Sequence, residues 1–185
     1  MTNRLERSIV LVGMMGCGKT TIGQALAQTL DVPFLDSDEA IEEAAQMSVA
    51  EIFARDGEPF FRARETEILE RLLRGAPAVI STGGGAFLSE ANRRVIAERG
   101  VSVWLQADLE TLWHRVRLKT TRPLLKTADP KGTLRAMLEA RLPVYAQAQI
   151  HVEAGPQTDV SAMTAKVLEA LHKVPDLFKT ERQNG

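Results

Sequence analysis

Gly13-Met14-Met15-Gly16-Cys17-Gly18-Lys19-Thr20 decides how this 185-residue chain is read. The octet fits G-x-x-x-x-G-K-[ST], a loop whose backbone N–H groups converge on phosphate oxygens. Its flanks match what such a loop needs. Residues 8–12 read as a buried strand, and residues 20–30 carry helical apolar spacing through Ile22, Leu26 and Leu30. Strand, turn and helix in that order point a helix N-terminus at the anion. Lys19 then reaches the outer phosphates and the Thr20 hydroxyl suits Mg²⁺. A chance Gly-rich turn would explain neither flank. The dinucleotide pattern G-x-G-x-x-G fails, because Thr21 stands where its third glycine belongs. The stretch is therefore read as a nucleoside-triphosphate site, with Gly16, Cys17, Gly18, Lys19, Thr20 and Thr21 as its ligands.

Composition bounds the rest. The length suits one domain with a real core, and 44% hydrophobic with 25% charged residues is the balance of an ordinary soluble globule. A net charge of −1 offers no overall attraction to nucleic acid or anionic membrane. No apolar run approaches the roughly 20 residues that cross a bilayer, and the first such run is already strand. A single cysteine, Cys17, excludes an internal disulfide and agrees with a cytoplasmic location. Near a helix N-terminus its thiol pKa is open to lowering, but a small residue filling a tight turn is the favoured reading.

Strand and helix alternate almost throughout, which implies an α/β fold with a parallel sheet covered on both faces. After the first unit come a strand at 32–35 and a helix at 39–45. Ser48-Val49-Ala50-Glu51 has capping-box spacing and starts a short helix ending near Gly57. A longer amphipathic helix follows over 58–73, with Phe61, Ile68, Leu69 and Leu72 on its apolar face. A strand at 78–81 runs straight into Thr82-Gly83-Gly84-Gly85. Ser89 caps a helix to about Arg99, followed by a strand at 101–105 and a helix from Asp108 to about Leu118. Residues 119–132 break the pattern with Pro123, Pro130 and Gly132 among Lys119, Arg122, Lys126 and Lys131, and read as a mobile basic lid. Helix resumes over 133–149, kinked or bounded by Pro143. A strand at 150–152 and a helix at 160–171 complete one domain over 1–172. Residues 173–185 are polar and expected to fray as a flexible tail.

Three further features address what receives the phosphate. Asp36 and Asp38 sit at the carboxyl end of a strand, where open α/β sheets place ligands. One suits a metal's water shell and the other an acceptor hydroxyl, although Asp38 alone would also serve as a helix cap. Arg62 and Glu65 stand three apart on a helix, close enough for the carboxylate to orient a guanidinium against a substrate carboxylate. Taken alone that pair is more simply a surface ion pair. Gly83, Gly84 and Gly85 cost chain entropy without packing, so something needs close approach there.

Taken together, these motifs resemble those of the shikimate kinases, within the nucleoside-monophosphate-kinase-like branch of P-loop proteins. The match runs from the phosphate loop through Phe34-Leu35-Asp36-Ser37-Asp38, then Ile52-Phe53, Gly57-Glu58, Phe61-Arg62 and Glu65. It continues through Val79-Ile80-Ser81-Thr82-Gly83-Gly84-Gly85-Ala86, Arg122-Pro123-Leu124-Leu125, and Arg141 before Pro143-Val144-Tyr145. The resemblance implies a five-stranded parallel sheet and ATP-dependent phosphorylation of the 3-hydroxyl of shikimate in chorismate biosynthesis. It implies that Lys19 and the loop amides bind phosphates, and that Thr20 and Asp36 serve Mg²⁺. Asp38 would hold the ring hydroxyls and orient the one that reacts. Arg62 and Arg141 would clamp the substrate carboxylate, with Glu65 orienting Arg62 and the Gly84 region giving backbone contacts. Arg122 would close over the phosphates and Arg115 would stack near adenine. Where the family often has acidic residues after Tyr145, this chain has Ala146-Gln147, and the region around Gly155-Pro156 aligns poorly.

The resulting expectation is a cytoplasmic, monomeric kinase whose partners are ATP and shikimate, with neither nucleic acid nor membrane. Gluconate or a nucleoside monophosphate remains an alternative acceptor. An ATP-sensing module without transfer is disfavoured, because Lys19, Asp38 and Arg122 are all present. A nucleic-acid patch over 115–131 lacks interleaved aromatics.

Overall fold

The computed structural model describes residues 2–118, 125–155 and 157–181. The chain runs β1 (Thr2–Leu5), β2 (Ser8–Val12), α1 (Lys19–Leu30), β3 (Phe34–Asp36), α2 (Ser37–Ala45), α3 (Val49–Arg74) and β4 (Val79–Ser81). A 3₁₀ turn (Ala86–Leu88), α4 (Glu90–Arg99), β5 (Gly100–Gln106) and α5 (Leu109–Val116) follow. The described chain closes with α6 (Pro130–Tyr145), β6 (Ile150–Glu153), α7 (Val160–Leu171) and β7 (Phe178–Glu181).

Strands β2 to β6 form the expected five-stranded parallel sheet, in the order β3-β4-β2-β5-β6. Central β2 pairs with β4 on one side and β5 on the other, so Ile9 lies beside both Val79 and Val101. Every residue of β2 is buried, which a strand achieves only when both sheet faces are covered. Helices α1 and α7 pack on each other, as do α3 and α4, and α5 and α6. The carboxyl ends of β2, β3 and β4 then deliver Gly13, Asp36 and Thr82 to one edge of the sheet. The chain's chemistry gathers there.

Local signals set most helix boundaries. Ser48 and Glu51 form the capping box expected at the start of α3. Gly57 breaks that helix with φ 81° and ψ 172°, so α3 is two helical segments, as its sequence predicts. Helix α2 begins two residues earlier than expected, because Asp36 caps it: Oδ1 accepts from the N–H groups of Asp38 and Glu39 at 2.9 and 3.1 Å. Helix α6 likewise begins at Pro130, before the expected position 133. Proline pre-sets the first helical φ, and Asp129 accepts from the Gly132 N–H at 3.0 Å. The same helix stops at Tyr145, two residues beyond Pro143, whereas the sequence predicts helix to 149.

The chain beyond Lys173 differs from the expectation of a fraying tail. Residues Phe178–Glu181 pair antiparallel with Thr2–Leu5, in register from Leu5↔Phe178 to Thr2↔Glu181. Two apolar side chains within a polar run account for this. Leu177 is fully buried, and the Phe178 ring stacks on His172 at 4.9 Å between centroids. Residues 182–185, Pro156 and residues 119–124 of the lid sequence, including Arg122, lie outside the described residues. Among the described residues no helix is long and apolar enough to cross a membrane.

Candidate active site

A cleft of about 560 Å³ opens along the carboxyl edge of the sheet. One wall is the glycine-rich loop from Met15 through Thr21; the floor carries Asp36, Asp38 and the residues from Ser81 to Gly84. Glycine at 18 has a structural cause, since it caps α1 at φ 97°, a conformation that other residues rarely adopt. The Lys19 ammonium folds back onto the loop and donates to the carbonyl oxygens of Gly13 and Met14 at 2.7 and 3.0 Å. Cys17 is buried with its sulfur 3.7 Å from that ammonium, which agrees with a small residue filling a tight turn.

Arg115, on α5, reaches the loop by donating to the Gly16 carbonyl at 3.1 Å, and its side chain lines the same cleft. Ala154, Thr158, Asp159, Val160 and Met163 complete the lining. The Thr158 hydroxyl accepts from the Gly155 N–H at 2.8 Å, and Asp159 caps α7 through the Ala162 N–H at 2.7 Å. The sequence offered no firm signal for these wall residues, because they come from a loop and from a helix start with an ordinary cap.

The second half of the site is organised around the three glycines after β4. A Cβ placed on Gly83 would lie 2.8 Å from Oδ1 of Asp38. On Gly84 it would lie 3.4 Å from Nη1 of Arg141, and on Gly85 2.5 Å from Nη2 of Arg62. Successive glycines thus face the three charged side chains that sequence reading assigns to the acceptor. The backbone does not need glycine at 85, where φ is −95°. Space is the reason. Arg62, Glu65, Gly85 and Arg141 do not line the 560 Å³ cleft itself. They adjoin it across the glycine turn.

Each charged group is held. Arg62 donates from Nη1 to both oxygens of Glu65, at 2.9 and 3.2 Å, and Glu58 stands 3.5 Å away on the exposed side. The Glu65 side chain is only 1% exposed. Burial raises its pKa, and the Arg62 guanidinium opposes that rise. An exposed ion pair is thereby excluded; this carboxylate is placed for its arginine. Arg141 donates to the Gly84 carbonyl at 3.3 Å, and the buried Tyr145 hydroxyl donates to the same oxygen at 2.6 Å. Tyr145 belongs to the motif read in the sequence, but its anchoring of Gly84 was not foreseen.

Asp38 has a pKa raised to about 6, chiefly by burial and then by the negative charges of Asp36, Glu65 and Glu42, with Lys19 opposing them. The alternative in which Asp38 caps α2 is excluded, since Asp36 makes that cap. Asp38 is therefore a carboxylate kept near the phosphate-loop lysine at a cost in stability, which points to a site and not to packing.

Comparison with known proteins agrees with this geometry. The shikimate kinase family model matches residues 15–172. The shikimate kinase of Cereibacter sphaeroides is 64% identical, covering 96% of this chain and 89% of its own. That of Ruegeria pomeroyi is 59% identical, covering 95% and 90%. The structure of shikimate kinase from Acinetobacter baumannii in complex with shikimate superposes with a TM-score of 0.82 at 38% identity, covering 88% of this chain and 91% of that one. With a phosphate loop and an arginine-flanked glycine turn on one sheet edge, and a family match over most of its length, the chain belongs to the shikimate kinase family and is an ATP-using kinase.

Proposed function

We propose that the protein transfers the γ-phosphoryl group of ATP to the 3-hydroxyl of shikimate across the boundary between the 560 Å³ cleft and the glycine turn. The observation that carries this reading is the one-to-one facing of Gly83, Gly84 and Gly85 with Asp38, Arg141 and Arg62. An acceptor with a carboxylate at one end and hydroxyls at the other fits two guanidinium groups and one carboxylate so arranged.

On this reading the loop amides and Lys19 take the phosphates, with the ammonium leaving the Gly13 and Met14 carbonyls for the stronger charge of the nucleotide. Thr21 adjoins them in the same wall. Arg115 together with Ala154, Thr158, Asp159, Val160 and Met163 receives the base. Arg122 supplies a further cation to the transferring group, an assignment resting on sequence alone.

Thr20 and Asp36 are hard oxygen donors lining the cleft, and they fit Mg²⁺, which binds through few protein oxygens together with phosphates and water. Both capping bonds of Asp36 use Oδ1, which leaves Oδ2 for such a shell. Among the described residues no cluster of three or more His, Cys, Asp or Glu forms a dedicated metal cage. Thr20 and Asp36 would hold such an ion with the nucleotide, where it would supply positive charge against the phosphate oxygens.

Arg62, held by Glu65, and Arg141 fix the acceptor carboxylate, so the ring presents its hydroxyls to Asp38. Phosphoryl transfer passes through a loose transition state in which the attacking hydroxyl still holds most of its proton. Asp38 accordingly orients the hydroxyl and accepts its proton late. Catalysis is then mainly alignment and charge neutralisation. Coupled ADP release with shikimate, gluconate, AMP or no acceptor tests the reading. Turnover is expected with shikimate alone, and comparable turnover with gluconate or AMP would overturn it.

A further inference from the structure

The glycine turn must stand at a defined distance from α3, because Arg62 and Gly85 meet with no room to spare. The device that sets this distance lies behind the site, on α4. Asn92 is buried, 1% exposed, and donates from Nδ2 to the carbonyl of Ala86 at 2.9 Å. Ala86 directly follows Gly85. On its other side, Oδ1 of Asn92 accepts from the Thr66 hydroxyl at 2.7 Å. Thr66 directly follows Glu65, and its hydroxyl stands 3.1 Å from the Arg62 carbonyl oxygen. The covalent and hydrogen-bonded path from Arg62 through Thr66, Asn92 and Ala86 to Gly85 therefore closes on itself where guanidinium meets glycine.

Only one amide orientation satisfies this arrangement: the Ala86 carbonyl oxygen can only accept, so the amide NH2 must face it, and Oδ1 is left to accept from the Thr66 hydroxyl. We propose that Asn92 is a positioning residue for the substrate carboxylate clamp, setting through Thr66 the gap between the Arg62 guanidinium and the glycine turn. The inference rests on the reading of Arg62 as that clamp. Neighbouring Arg93 donates to the Phe87 and Leu88 carbonyls at 2.7 and 2.9 Å, so the 3₁₀ turn stays docked on α4 when Asn92 is changed. What is lost is the hydrogen-bonded link to α3, while the packing of α3 on α4 remains.

Asn92→Ala, Thr66→Val and Thr66→Ser are compared with wild type by steady-state kinetics, with Arg62→Ala in parallel. Loss of the link shifts the guanidinium by a fraction of an ångström, so Asn92→Ala and Thr66→Val should each raise the shikimate KM by roughly 5- to 30-fold. The ATP KM and kcat should stay within about twofold, because the phosphate loop is untouched. Thr66→Ser keeps the hydroxyl and should behave as wild type. The double variant should cost no more than the larger single effect, since both act on one link. If Asn92→Ala does not fold, the contrast between Thr66→Val and Thr66→Ser decides. A shikimate KM within about twofold of wild type in Thr66→Val, or equal losses on both substrates, would overturn the proposal. Arg62→Ala separates the two claims: if it raises the shikimate KM while Thr66→Val does not, only the positioning role fails. If Arg62→Ala leaves that KM unchanged, the clamp reading fails with it.

Discussion

Gly85 and the guanidinium of Arg62 occupy adjoining space so tightly that one methyl group on the glycine would lie 2.5 Å from Nη2 and 2.7 Å from Nη1. Glu65 holds that guanidinium at 2.9 Å, so the arginine retreats from an added methyl only by straining this ion pair. The φ of −95° at Gly85 is open to alanine, which makes the conflict steric and local. Gly85→Ala should therefore raise the shikimate KM by roughly 10- to 100-fold, the scale of a small misplacement of a binding group. The ATP KM should hold. An unchanged shikimate KM, measured with shikimate varied at saturating ATP, would detach Arg62 from acceptor binding.

Asp38 faces the same turn through Gly83 and stands near the phosphate loop. Asp38→Asn keeps the shape and removes the charge. Turnover should fall by about 10²- to 10³-fold, the usual size of a lost orienting group in the transition state. Nucleotide affinity, read by titration with a non-hydrolysable ATP analogue, should change little. Near-normal turnover in this variant would remove Asp38 from the reaction.

The raised pKa of Asp38, about 6, has a consequence for stability. A carboxyl group that binds its proton more tightly when folded destabilises the fold as pH rises through its folded-state pKa. The penalty is absent below the ordinary value of 3.8, grows between about 4 and 6, and is complete above about 7. Partial exposure of Asp38 limits it to roughly 1–2 kcal/mol. Nucleotide-free Asp38→Asn should thus melt about 2–6 °C above wild type at pH 7.5. The gap should close near pH 4. Calorimetric scans across that range check this, and a variant less stable than wild type at pH 7.5 would contradict the assigned burial cost.

Tyr145 and Arg141 share the Gly84 carbonyl, with the phenol the shorter donor at 2.6 Å against 3.3 Å. Tyr145→Phe leaves that oxygen with the arginine alone. A loss of about 1 kcal/mol in stability is expected, typical of one hydrogen bond removed while its partner stays partly satisfied. Denaturant unfolding measures it directly. No loss at all would mean that Arg141 suffices to hold the turn.

The parallel sheet was legible because its strands are short apolar runs between helices with ordinary caps. The phosphate loop was legible because its chemistry needs glycines at fixed intervals. Helix starts at Ser37 and Pro130 were displaced by caps from Asp36 and Asp129, whose side-chain roles depend on which way each acid turns. The β1–β7 ribbon was missed because Leu177 and Phe178 sit in a polar run, and pairing across almost the whole chain leaves no local pattern. In the site, Arg62 with Glu65 read as a surface pair until burial of the carboxylate showed otherwise. The three glycines were seen to need close approach, but the groups that approach them come from α2, α3 and α6, and only the fold brings these together. Asn92 left no trace in spacing at all, since its two partners lie 6 and 26 residues away.

The central claim is that one small acid spans the glycine turn, gripped at its carboxylate and offered to ATP at its hydroxyls. A crystal structure of this protein with shikimate and a non-hydrolysable ATP analogue tests it most directly. The account requires the carboxylate between Arg62 and Arg141, with the 3-hydroxyl at Asp38 and turned toward the γ-phosphate. A carboxylate bound away from both arginines, with Asp38 left out of contact, would contradict it.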